Sequence, residues 1–397
     1  MAVIRRWAHG ALICLLPCLV ALYVAGTAYG GRLFPWRANM ADLRVYMRAG
    51  YALRTGGDIY QLPDSLPFIY PPFAAVLAVP LSYLPLGLVQ IGWSIAVALV
   101  LVAIFHRLGL AGWPLSLISA ATLRFFEPLN QTLAFGQVGV FLVGLVLLDL
   151  APGPRIFTPH RRRLPLGIGV GLATTIKLTP GLFVVYLLVI RRFRAVIVAT
   201  VTVIVTTAIG FLVTPRLSID FWGRLLHGDT GLGDSIIYLP NQSLFGVLSR
   251  ILGYNTVGNA IGLVLAAAVA VLGVVVAARW YRAGDQQMAI VLCGLATLLA
   301  SPVSWSHHFV WIAPLAVLLV VRDSCPPWFR TLGLLFVGWV VAAPWKFLPN
   351  GGGEEAGYNV WQNGFASLGP ALGCVLLVAA LIVVDRSKDM TIVAGDR

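Results

Sequence analysis

Charge is scarce in this chain. Lys, Arg, Asp and Glu make up 11% of its 397 residues, against 59% that are hydrophobic. Soluble domains are roughly half apolar, so this composition excludes an ordinary soluble protein. Acidic residues are fewer still, with 15 Asp and Glu facing 28 Lys and Arg. The resulting charge of +13 is dispersed as short basic clusters between apolar runs, which is the pattern membrane topology imposes and argues against nucleic-acid binding. Cysteine is limited to five: Cys14, Cys18, Cys293 and Cys374 lie inside apolar runs and Cys325 in a short basic loop. No disulfide framework or metal-ligand spacing follows. Also missing are a Gly-rich phosphate loop after a strand, an Asp-x-Asp pair for a nucleotide-sugar metal, Cys-x-x-Cys and Gly-x-Ser-x-Gly. Chemistry on a cytosolic nucleotide is left without residues, and neither a metal nor a cofactor is expected.

Apolar runs dominate what is present. Those near 8–30, 87–106, 111–126, 137–150, 195–214, 257–279, 287–301, 308–321, 330–344 and 364–384 read as membrane spans. The run 164–190 is interrupted by Lys177 and Pro180 and reads as a broken hairpin, while 73–84 is too short to cross a core of about 30 Å. Arg5-Arg6, Arg107, the 155–163 cluster, Arg191-Arg192-Arg194, Arg279, Arg282, Arg322, Arg330, Arg386 and Lys388 should prefer the cytoplasm. All of them fall on one side if the chain is a single all-α polytopic membrane domain, 1–397, with about 12 transmembrane helices and both termini inside. The Arg5-Arg6 start resembles a signal sequence, but its apolar run of about twenty residues and the absence of a clear cleavage site favour a retained first span. Loops 31–72, 127–136, 215–256 and 345–363, with 301–308, then lie on the outer face. The cytoplasmic loops are too short to fold a catalytic domain, so chemistry is expected outside.

The loop from Asn39 to Pro72 is the richest in functional groups, with five arginines in thirty residues counted from Arg32 and three carboxylates. Asn39 is expected to cap a helix that carries Asp42 at its third position and stops at Gly50 or at Gly56-Gly57. Asp42, Val45, Tyr46 and Ala49 share one face of that helix, and Arg44 and Arg48 another. Asp42 has two readings here: an acid that steadies its own helix, or a reactive carboxylate. Asp58, after two glycines, reads as an Asx turn, and Tyr70-Pro71-Pro72 as a rigid aromatic entry to the next apolar run.

Ionisable groups at span ends cost several kcal/mol unless paired or hydrated, which makes them site candidates. Arg124 and Glu127 flank Phe125-Phe126, where a local salt bridge is the plain explanation. Lys177 precedes Thr179-Pro180 with no carboxylate among its sequence neighbours, which points to an anion site. His307 and His308 are adjacent, so their side chains diverge and a bidentate metal pair is not expected; one of them is expected to line a polar cavity. Asp229 and Asp234 read as turn or substrate-contact residues, and Glu354-Glu355, after three glycines, as solvated loop. Together these groups suit transfer from a lipid phosphate. Lys177, arginines and a histidine would face the departing phosphate, and Asp42, with Asp58 as competitor, would take the acceptor's proton.

Asp42-Leu43-x-Val45-Tyr46, Tyr70-Pro71-Pro72, Gly136-Gln137, Lys177-x-x-Pro180 and Ser306-His307-His308, in this order, resemble glycosyltransferase family 87. That family is an integral-membrane GT-C group, and the likeness is strongest to its alpha-1,2-mannosyltransferases of phosphatidylinositol mannosides and lipomannan. The resemblance implies a GT-C-like fold, polyprenyl-phosphate-mannose as donor, a mannosylated lipid acceptor, and a multi-pass location in the plasma membrane with the site on the extracytoplasmic face. It also implies Asp42 as general base, and we expect Tyr46, Asp58, Tyr70, Glu127, Gln137, Lys177, His307 and His308 to contact substrate. Arabinofuranosyl transfer is the alternative within the family. A transporter or lipid flippase is the rival from another class, and would require inverted repeats and charges near mid-membrane.

Overall fold

The computed structural model describes residues 2–63, 66–155, 164–228, 231, 233–322 and 325–395. Asp229, the Asp234 side chain and the basic residues of 156–163 lie outside the described residues. Helices are the only extended regular elements among the described residues, the β-pairing being limited to isolated bridges such as Arg32 with Arg37. The chain divides into two compact units.

The first unit holds residues 1–149, 153–178 and 197–233. Its helices are α1 (Ala2–Thr27), α2 (Ala41–Arg54), α3 (Pro72–Ala78), α4 (Leu86–Arg107), α5 (Gly112–Phe125), α6 (Glu127–Phe135), α7 (Gly139–Leu150) and α8 (Ile168–Ile176). α1 packs on α4, α5 and α6, and α2 packs on α3. Of the two stops expected for α2, Gly56-Gly57 is the one used, directly after the Thr55 cap, while Gly50 lets the helix touch α3: a Cβ there would come 2.5 Å from the Ala78 carbonyl oxygen. The helix therefore runs on to Arg54.

The second unit holds 150–152, 179–196 and 234–397. It contains α9 (Leu182–Val189); α10 (Phe193–Val213) and α11 (Pro215–Leu226) then belong mainly to the first unit. The second continues with α12 (Leu244–Leu252), α13 (Thr256–Arg282), α14 (Gln286–Ala300), α15 (Ile312–Val321), α16 (Pro327–Ala342) and α17 (Val360–Gly395). α14 is buried from Gln287 to Leu299 and packs against α13, α15 and α17, as a helix apolar on all sides must.

Among the described residues six helices are long and apolar enough to cross a membrane: those within Gly10–Gly30, Leu86–Arg107, Phe193–Val213, Thr256–Arg282, Pro327–Phe347 and Val360–Val384. The bent pair α6–α7 makes a seventh if it counts as one span. This is a multi-pass membrane protein. The apolar runs read from the sequence all contain helix, but α5, α7, α14 and α15 are shorter than a full span.

Candidate active site

Asp42 enters α2 as its second residue, and the expected cap does not form. Met40 takes the cap position in a left-handed conformation, and no side chain caps the helix. Asn39 is held otherwise, its backbone carbonyl accepting from Arg44 Nε at 2.7 Å. Asp42 makes no capping-box bond, since Met40 N donates to Ala134 O, although its charge remains in the first turn, where it suits the helix dipole; its carboxylate faces Gln137. Gln137 Nε2 donates to Asp42 Oδ2 at 2.7 Å.

Gln137 is positioned by a bend. α6 and α7 meet at 117°, and Gly136 between them is left-handed, with φ 73°. A Cβ on Gly136 would lie 2.6 Å from Leu43 Cβ, so the bend sits directly on α2. Met40 N donates to Ala134 O at 3.1 Å and closes the same contact from the other side. Only glycine combines that conformation with that approach.

The amide of Gln137 then works in both directions. Its Oε1 accepts from Tyr46 OH at 3.1 Å and lies 3.4 Å from Tyr70 OH, and the two hydroxyls are 3.0 Å apart. This fixes the amide orientation, since the flipped form would aim an oxygen at the carboxylate. The Tyr46 and Tyr70 rings meet edge to face at 5.4 Å, and Trp93 lies 6.2 Å from Tyr46. Burial holds both phenols well above the usual tyrosine pKa, so they remain neutral donors. The Lys177 ammonium stands 5.6 Å from the centre of the Tyr70 ring, on an extended residue that ends α8. Asp42 is half-buried. Burial raises its pKa above the ordinary carboxylate value, and the Gln137 hydrogen bond and the Lys177 charge oppose that rise.

Asp58 builds a turn, as its neighbours imply: Oδ1 accepts from Tyr60 N at 2.7 Å. That turn sets Tyr60, whose hydroxyl donates to the Tyr70 carbonyl at 3.0 Å and whose ring stacks on Phe221 at 5.8 Å with the Arg224 guanidinium 5.0 Å away. Tyr60 and Trp93 thus support the site, and only the local density of aromatic residues hints at them in the sequence. Glu127 opens α6, a helix length of about 13 Å from the Gly136 cap. Arg124 lies over the Phe125 ring at 5.4 Å.

His307 and His308 belong to the second unit. Their rings stand at right angles, 4.6 Å apart, and His308 Nδ1 accepts from Trp305 N at 3.1 Å. Their segment is tied to Asn241, whose Oδ1 accepts from Ser304 N and whose Nδ2 donates to Pro302 O. Glu355 corrects the sequence reading. It is 1% exposed, not solvated, and its Oε1 accepts from Leu239 N at 3.1 Å and Gly351 N at 2.9 Å. Among the described residues no three His, Cys, Asp or Glu side chains are grouped to hold a metal ion.

An apolar multi-pass chain with one carboxylate held ready by an amide and a lysine across an aromatic wall has the parts of a membrane-embedded group transferase. The chain belongs to glycosyltransferase family 87, whose sequence profile matches residues 68–302. Relatives extend the match to the segment that carries Asp42. It is 34% identical over 384 residues to the polyprenol-phosphate-mannose-dependent alpha-(1-2)-phosphatidylinositol pentamannoside mannosyltransferase of Mycobacterium tuberculosis strain CDC 1551 / Oshkosh, covering 91% of this chain and 84% of the relative. It is 33% identical over 410 residues to the alpha-(1-2)-phosphatidylinositol mannoside mannosyltransferase of Mycobacterium tuberculosis strain H37Rv, covering 93% and 91%. A Mycolicibacterium smegmatis pentamannoside mannosyltransferase is 32% identical over 385 residues, covering 92% and 89%. None of these is named for transport. No solved structure matches the chain.

Proposed function

We propose that this glycosyltransferase moves mannose from a polyprenyl-phosphate donor to a mannosylated phosphatidylinositol or lipomannan acceptor, forming an alpha-1,2 link with inversion at the anomeric carbon. The relatives' names support the donor, the acceptor class and the linkage. Asp42 is the general base: its ionised carboxylate takes the proton of the acceptor's 2-hydroxyl as that oxygen bonds to C1 of the mannose. The bond from C1 to the phosphate oxygen breaks, and polyprenyl phosphate leaves with the electron pair. Lys177 faces the negative charge that grows on this leaving group. Tyr46 and Tyr70 fix Gln137, and Gln137 fixes Asp42.

The reaction is proposed on the extracytoplasmic face of the plasma membrane. The short apolar helices α5, α7, α14 and α15 fall where further passes are expected and support a twelve-pass arrangement. The observation that carries the base assignment is the 2.7 Å contact from Gln137 to one oxygen of Asp42.

Asp42→Asn tests it. Asn accepts the same amide hydrogen bond but takes no proton, so transfer from polyprenyl-phosphate-mannose should fall by about 100-fold or more. Stability should not fall. A carboxylate with a raised folded-state pKa contributes stability only below its ordinary value and loses that contribution as pH rises through the folded one. At neutral pH the charge is a burden that Asn removes, so the melting temperature should hold or rise. Near-normal turnover by Asp42→Asn beside an inactive Asp58→Asn would move the base to Asp58.

A further inference from the structure

We propose that a pocket on the first unit binds the phosphodiester of the glycolipid acceptor, away from the carbon at which mannose is transferred. This rests on the transferase reading above. An open cavity of about 510 Å³ lies between the loop preceding α2 and the start of α4, lined by Tyr29, Trp36, Arg37, Asn39, Arg44 and Gln90 among others, with no carboxylate in its wall.

The wall is built rather than loose. Trp36 Nε1 donates to Gln90 Oε1 at 3.1 Å, and Gln90 Nε2 donates to the Ala38 carbonyl at 2.9 Å. Arg44 Nε and Nη2 donate to the carbonyls of Asn39 and Ala38 at 2.7 and 3.2 Å, while the residue as a whole stays exposed. Backbone bonds between Arg32 and Arg37, 3.0 and 2.8 Å, fix the turn that carries Arg37. The Tyr29 ring is stacked on Phe135 at 5.1 Å. Two exposed guanidiniums beside aromatic faces and amides suit a sugar bearing a phosphate, since arginine matches phosphate oxygens in pairs and the rings accept the apolar face of a sugar.

Which phosphate follows from covalent chemistry. In the donor the phosphate is bonded to the reacting C1 itself, so it must sit within a bond of the carbon that the oxygen activated by Asp42 attacks. Arg44 lies two residues beyond Asp42, and helical geometry turns their side chains about 200° apart across a cylinder about 10–12 Å wide. A donor phosphate in this pocket would be a helix diameter from its own reaction. An acceptor has the required reach, because its phosphodiester and its terminal 2-hydroxyl are separated by the mannoses already attached. The pocket then works as a ruler, admitting an acceptor whose glycan is long enough to pass around α2.

Purified full-length protein would be assayed with polyprenyl-phosphate-mannose and two acceptors, a phosphatidylinositol mannoside and a neutral alkyl dimannoside. Arg37→Gln should raise KM for the phosphorylated acceptor about tenfold, the scale of one lost charge-assisted hydrogen bond. Its kcat, its KM for donor and its KM for the neutral acceptor should not change, and Arg37→Lys should restore part of the loss. In the wild type, glycerophosphoinositol should compete with the phosphorylated acceptor and leave transfer to the neutral one untouched. A rise in KM for donor would assign the pocket to the donor phosphate and overturn the proposal. Equal losses on both acceptors, or no inhibition by glycerophosphoinositol, would overturn it as well. Wild-type protein that transfers mannose to neither acceptor would instead sink the transferase reading, and this inference with it.

Discussion

Asp42 and Glu355 are two carboxylates from segments that read alike as outer loops, yet the two units use them in opposite ways. Glu355 is buried and accepts two backbone N–H groups through a single oxygen, so it staples residues 237–241 to the glycine turn at 351–353. Beside it burial brings the Arg250 guanidinium down to a pKa of about 10, against the pull of Tyr358 and Glu355. Arg250 Nη1 donates to the Asn241 carbonyl at 2.9 Å and strengthens the same junction. Asp42 is half-buried and bound by a side-chain amide, with no backbone N–H joined to its carboxylate. A carboxylate bonded to backbone is part of the scaffold. One bonded to a side chain from a distant bend keeps an oxygen and a proton affinity that chemistry can use.

Three experiments sharpen that contrast. The largest effect is expected from Lys177→Ala, which removes the cation beside the Asp42 cluster while leaving the Glu355 cluster intact. Transfer at limiting donor should drop by about 10–100-fold, the loss of one charge-assisted contact, with Lys177→Arg rescuing only part because a planar fork fills a different shape. Unchanged activity at limiting donor would end the anion-site assignment.

A smaller effect, with a distinctive signature, is expected from Gln137→Ala. The hydrogen bond it removes lowers the Asp42 pKa, so without it that pKa climbs further from the usual carboxylate value. A base works only when ionised, so the acid limb of the pH–rate profile should move to higher pH, and the lost positioning of the carboxylate should lower the rate at the optimum by about tenfold. A profile that keeps its shape would show that Gln137 does not tune the base.

The smallest effect on activity, and the largest on stability, belongs to Glu355→Ala. Losing the acceptor of two buried backbone hydrogen bonds should cost about 2–6 kcal/mol and lower the melting temperature. Specific activity of the protein that remains folded should stay near that of the wild type. A dead but stable Glu355→Ala would reverse the comparison.

Much of this was legible in the sequence, for reasons that differ by residue. The pairing of Asp42 with Tyr46 on one face follows from helical spacing, and the turn at Asp58 from two glycines and a following hydrophobic residue. Gln137 lies 95 residues from Asp42, and no periodicity links them; only the order of motifs brought it forward. Asn39 failed as a cap because Met40 turns left-handed to meet Ala134. Glu355 was misread because three glycines resemble an open loop. Here all three have positive φ, 92°, 65° and 87°, and they wind the chain so that Gly351 N reaches the carboxylate. The cavity at Arg37 and Arg44 depends on Gln90 of α4, so the arginines were visible but their convergence was not.

The contact between Asp42 and Gln137 also has an order in time. The ribosome releases Asp42 with α2, and α4, α5 and α6 must be synthesised before Gln137 emerges 95 residues later; Lys177 comes later still. Until Gln137 emerges the nascent chain carries Asp42 without its amide donor. The proposed base gains its amide partner only when the Gly136 bend meets Leu43, although Asp42 is among the first residues of the first unit to be made.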